Sequence, residues 1–190
     1  MAATLTIHRV LVRPESEAKV NELFLKILEH ASAGAQFEAG TLWKLDGEAD
    51  SYLAVLEYED RRAVRGALTR VIESGLMEEV LGALAGSPDR IVVDPVHHRG
   101  ARLSDSPLFS FLSVSERIAE LGWGQGESDE LKAILNELAM LPGYRGAAWG
   151  PRAGLTEEIV SLVAWDSRDA FESSMPLLPT HAVRLYRRVL

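Results

Sequence analysis

The sequence predicts an α+β protein in which two β-α-β-β-α-β units follow one another and pack through their sheets into a barrel or sandwich, with the helices outside. Three observations lead there. Runs of alternating or continuous apolar residues give way to three-and-four spacing in the same order in each half of the chain. Two phrases recur: Gly40-Thr41-Leu42-Trp43 matches Gly146-Ala147-Ala148-Trp149 at an offset of 106 (146 minus 40), and Tyr58-Glu59-Asp60-Arg61-Arg62-Ala63 matches Trp165-Asp166-Ser167-Arg168-Asp169-Ala170 at 107 (165 minus 58). Near-equal offsets at equivalent points of the pattern indicate an internal duplication. Finally, one four-stranded sheet with helices on a single face leaves its other face bare, and a second copy can cover it.

Each element has its own signal. Residues 4–12 alternate and then run apolar, which predicts a strand stopped by Arg13-Pro14. A helix over 15–33 follows, because Val20, Leu23, Phe24, Ile27, Leu28 and Ala31 form one stripe and Glu15 and Glu17 suit its N-terminal end. Residues 40–45 and 51–58 are β-prone and flank Asp46-Gly47-Glu48, a hairpin signal. Asp60 can cap a second helix, carrying Val64, Leu68, Val71 and Ile72, that Ser74-Gly75 bends or divides. Residues 90–94 complete the first unit as a strand.

The second unit repeats this order. A strand is expected over 108–114, a helix over 128–141, strands over 146–150 and 159–165, a helix opened by Asp166-Ser167, and a last strand over 182–190. Between the units, HRGARLSDSP replaces the periodic pattern with glycine, serine and proline. The expected division is therefore 1–97, a linker at 98–107, and 108–190.

Composition narrows the function classes. The 190 residues are 47% hydrophobic and carry 28 acidic against 20 basic side chains, a formal charge of -8 that repels nucleic acid and anionic lipid. Cysteine is absent, which removes disulfides, thiolate metal sites and a cysteine nucleophile together. No apolar run approaches the roughly 20 residues that span a bilayer, and MAATLTIHRVLVRPE lacks a leader pattern, so a soluble cytoplasmic protein is expected.

The phrase Pro142-Gly143-Tyr144-Arg145-Gly146-Ala147-Ala148-Trp149, with Ala164-Trp165-Asp166-Ser167-Arg168-Asp169-Ala170-Phe171 and Pro179-Thr180-His181, resembles the antibiotic biosynthesis monooxygenase-like branch of the dimeric α/β-barrel proteins. The resemblance is closer over residues 126–190 than over 3–96. It implies ferredoxin-like units that usually pair as two subunits, here joined in tandem, so that the chain is a monomeric pseudo-dimer or a homodimer of such chains. It also implies a small apolar or aromatic ligand, and either cofactor-independent oxygenation of an aromatic or polyketide-like substrate between the sheets or binding without turnover. A filled barrel acting only as a structural or interaction module is the further alternative. Haem is not expected, since neither first strand carries the asparagine of the haem-degrading members, and no other cofactor is implied.

His8 and His181 are the candidate catalytic residues. If Leu5 and Ile7 meet the helices, His8 points between the sheets, where a neutral imidazole can take a substrate proton; the alternative is a hydrogen-bonded core histidine. His181 matches a family histidine near the end of the second helix, and equally suits a helix C-terminus. Trp43, Tyr58, Trp149 and Trp165 are candidates to line a pocket for a flat ligand, or to fill the core. His97 and His98 are adjacent, so on a strand they face opposite ways and do not share a metal. Gly122-Trp123-Gly124-Gln125-Gly126 lacks the preceding strand of a phosphate loop and is read as a connector.

Overall fold

The computed structural model describes residues 3–102, 109–118, 125–177 and 182–190. The first half contains β1 (Ala3–Leu11), a 3-10 turn (Pro14–Lys19), α1 (Val20–Ser32), β2 (Phe37–Leu45), β3 (Ser51–Tyr58), α2 (Arg61–Glu73), α3 (Leu76–Ala83) and β4 (Asp89–Gly100). The second contains β5 (Phe111–Ile118), α4 (Gln125–Leu138), β6 (Tyr144–Arg152), β7 (Leu155–Trp165), α5 (Arg168–Ser174) and β8 (Val183–Arg188). Every strand is antiparallel to both neighbours, and the order β1-β3-β2-β8-β5-β7-β6-β4 closes into a barrel. The halves join at β2–β8 and β4–β6. This is the intramolecular pair of ferredoxin-like units that the sequence predicts, and closure leaves neither sheet an open edge.

Local chemistry explains the boundaries. The Asp60 carboxylate accepts from the backbone N–H groups of Arg62 and Ala63 at 2.8 and 2.9 Å, opening α2. Ser167 repeats the device for α5, accepting from the Ala170 N–H at 3.2 Å. Gly75, at φ +78°, separates α2 from α3 in a conformation that costs any other residue strain. Two expectations are corrected. The first helix begins at Val20 because Pro14–Lys19 winds as a 3-10 turn, and the last strand of the first half runs on to Gly100, with a register break between Val93 and His97 around Pro95, which has no N–H to donate.

The two sheets form one repeat with a single register. His8 lies opposite Ala54 just as Ser115 lies opposite Ser161, and Leu42 opposite Ala54 just as Trp149 lies opposite Ser161. The offset is therefore 107 (115 minus 8; 149 minus 42) along β1, β2 and β3 alike. Trp149 is the counterpart of Leu42 rather than of Trp43, so the 106-residue match of the two tryptophans is a coincidence one position out. A slip of one residue turns a side chain to the other face. Trp43 accordingly points into the barrel, and Trp149 lies outside it beneath α4.

Side chains from both halves fill the barrel, among them Leu5, Ile7, Leu53, Val93, Leu112 and Leu162, each essentially inaccessible. Trp43 stacks on Phe109 there, with ring centroids 5.7 Å apart, and donates its Nε1 hydrogen to Thr41 at 2.8 Å. Arg9 and Glu116 are counterparts under the 107-residue offset and pair with each other. Among the described residues, no helix is long and apolar enough to cross a membrane.

Candidate functional site

Because Leu5 and Ile7 pack inside the barrel, the alternate residues of β1, Thr6, His8 and Val10, face the helices. This reverses the expected orientation of His8 and moves the candidate site from between the sheets to the space between the first sheet and α1–α3. A cavity of about 270 Å³ lies there. Its walls are apolar, with Phe24 of α1, Val64 and Val71 of α2, and Met77 and Val80 of α3 closing over Leu42 and Leu56 of the sheet.

Four polar side chains interrupt these walls: Thr6, His8, Tyr58 and Arg90. His8 and Arg90 are paired in register across β1 and β4, so they stand side by side on one face. Burial, and then the Arg90 charge, pull the His8 pKa down to about 4, so its imidazole is neutral at physiological pH. No described residue hydrogen-bonds the ring, and the ring keeps partial accessibility because it borders open volume rather than packed atoms. Tyr58 is buried, which pushes its hydroxyl up to about 12 despite the nearby Arg90 and Arg70 charges and its contact with Thr6. A neutral base, a neutral phenol and one cation therefore face an apolar space.

The equivalent space in the second half is nearly closed, at about 20 Å³. Ser113, Ser115, Ser161 and Val163 border it at the positions of Thr6, His8, Ala54 and Leu56. Larger side chains do the filling. Trp149 replaces Leu42, Trp165 replaces Tyr58, and Phe171 replaces Val64, all within one buried cluster over the sheet. Trp165 donates to Ser113 Oγ at 2.9 Å.

Of the expected site residues, the structure brings together only His8 and Tyr58. Trp43 packs the barrel, and Trp149 and Trp165 pack the closed second half. His181 lies outside the described residues. His97 stacks on Trp149 with centroids 5.7 Å apart, whereas His98 turns inward and places Nε2 3.1 Å from the buried Glu57 carboxylate. Among the described residues no three metal-ligating side chains converge. Arg90 was missed by the sequence reading, since only the β1–β4 register places it beside His8. A groove of about 600 Å³ beside Lys44 and Arg187 is larger but open to solvent, and the Lys44–Glu17 ion pair crosses it.

No protein-family model matches the chain, and no curated protein matches it. Solved structures do. A candidate monooxygenase from Fusobacterium nucleatum superimposes with a TM-score of 0.73 at 8% identity, covering 100% of this chain and 93% of the other. An anthrone oxidase-like protein gives 0.69 at 15% identity over 100% and 92%, and a candidate chlorite dismutase gives 0.65 at 13% over 100% and 96%. Identities this low establish fold and not activity, and the three neighbours already span different chemistries. The chain has the fold of these three structures, a closed α/β barrel built here from two ferredoxin-like units in one polypeptide.

Proposed function

We propose that the protein binds a small apolar, aromatic molecule in the cavity of its first half and that His8 serves that molecule as a general base. The observation supporting this is the difference between the halves. Equivalent positions surround about 270 Å³ in one and about 20 Å³ in the other. An apolar void of the larger size forgoes several kcal/mol of packing that the second half realises, a cost expected where a volume is kept for an occupant.

The chemistry fits oxygenation by dioxygen without a cofactor. His8 takes a proton from an activated CH2 group of the substrate, leaving a delocalised carbanion in a dry site. That anion gives an electron to dioxygen, the two radicals combine as a peroxide, and loss of water leaves C=O. The carbon loses four electrons and dioxygen gains four; one oxygen atom stays in the product and the other leaves in water. Binding without turnover is the alternative and rests on the same cavity.

Oxygen uptake with anthrone as a trial substrate separates the two. Turnover that falls by about 10²–10⁴ in His8→Ala, with binding retained, supports the oxygenase. Binding without uptake leaves the binding protein. Copying the second half into the first, with Leu42→Trp and Val64→Phe, closes the cavity and abolishes binding in either case; unchanged binding in this folded variant refutes the site.

A further inference from the structure

Arg90 is the one charged side chain among the described residues that line the cavity, and it is exposed at the cavity wall where it also meets solvent. None of the ion pairs among the described residues includes it, although Arg9, Arg61, Arg117, Arg145, Arg152 and Arg168 all have acidic partners. The lining contains no carboxylate. Val183 takes the corresponding place in the closed second half, opposite Ser115 as Arg90 is opposite His8, so the cation accompanies the open volume and is lost with it. An apolar space with an uncompensated guanidinium at its edge suits a ligand that carries the missing charge, because a planar guanidinium pairs a carboxylate through two parallel hydrogen bonds.

Resting on the cavity being a binding site, we propose that its ligand is an amphipathic monoanion: an apolar body under α1–α3 and a carboxylate at the mouth, held by Arg90. The neutral His8 ring beside Arg90 adds an N–H donor to the same anion. Thr6 and Tyr58 lie on the same face of the sheet and supply hydroxyls. The helices offer only apolar side chains to the cavity, which fixes the direction of the ligand, with its charged end toward β4. At about 270 Å³ the cavity is near the lower end of the ~300–1,000 Å³ range of small-molecule sites, so the apolar part is short.

Octanoate and 1-octanol share a chain and differ in the charged end, which makes them suitable probes by titration calorimetry at pH 7. The proposal expects octanoate to bind at least tenfold more tightly than octanol. Arg90→Gln removes that preference while leaving octanol binding unchanged, and Arg90→Lys keeps part of it. Octanol binding as tightly as octanoate, in a manner that Leu42→Trp blocks, overturns the anion proposal and leaves the binding site standing. A preference that survives Arg90→Gln places the anion elsewhere and also overturns it. Binding of neither probe overturns the anion proposal, and the site itself then stands or falls with anthrone binding.

Discussion

The neutral state of His8 has a measurable consequence for stability. Its pKa falls from 6.5 in the unfolded chain to about 4 in the folded one, so between these values the unfolded chain holds the extra proton. Stability therefore rises with pH across that window and is lost on acidification, by about 3 kcal/mol in all. Urea melts of wild type and His8→Gln should differ in pH slope by that amount from pH 6.5 to 4 and run parallel above pH 7. Equal slopes throughout mean that the ring is solvated. The tryptophans give the complementary test of packing. Trp149→Ala should cost about 3–5 kcal/mol, since the ring fills the second half; a loss below about 1 kcal/mol means that it borders open space. At this scale the sequence supplied His8 and Tyr58 but not their direction. The alternation Leu5, Thr6, Ile7, His8 has an apolar and a polar face, and in an ordinary half-exposed sheet the apolar face meets the helices. Here both faces are buried, so alternation alone leaves the choice between barrel and helices open.

Among the elements, the strands and helices were legible because each carries its own period and punctuation. Asp60, Gly75 and Ser167 act where their chemistry says they should. Register was less legible. The Gly-x-x-Trp likeness suggests an offset of 106, whereas the strands pair at 107, because pairing is decided by the cross-strand ladder and by bulges near Phe37 and Tyr144 that match in both halves. The second helix of the first half also differs from its counterpart: α2 and α3 roof the cavity, where the described residues of the second half form the short α5 and a 3-10 turn at Met175–Leu177. The hinge between α2 and α3 should be sensitive to backbone alone. Gly75→Ala meets no neighbouring atom but must hold φ +78°, so thermal unfolding should show a loss of about 1–2 kcal/mol. Gly82→Ala, inside α3 and equally unobstructed, should leave stability unchanged or raise it by up to ~1 kcal/mol. The opposite order contradicts the assigned hinge.

Across the whole molecule, duplication closes a barrel that a single unit cannot, and it frees the two helical layers to differ. The shared barrel core is buried in common, while one layer packs shut and the other keeps an opening. The Arg9–Glu116 pair ties β1 to β5, which stand opposite each other in the strand order. Its side chains are 16% and 32% exposed, so Glu116→Gln, which leaves Arg9 only the longer Asp89 contact at 3.4 Å, should cost about 1–2 kcal/mol in the cooperative unfolding of both halves together. Two separate transitions in that variant mean that the halves are only loosely coupled. Which half holds the opening was not legible in the sequence: the Tyr58–Trp165 and Val64–Phe171 equivalences follow from the 107-residue match there, but that of Leu42 and Trp149 appears only once the strand register is known, and only the packing shows which set of side chains fills its layer. The most direct test of that asymmetry is a crystal structure under xenon pressure, since xenon enters dry apolar volume without needing the right ligand chemistry. Xenon between the first sheet and α1–α3, with none inside the barrel or beneath α4, is the predicted result. Xenon within the barrel or in the second half, or none in the first, contradicts it.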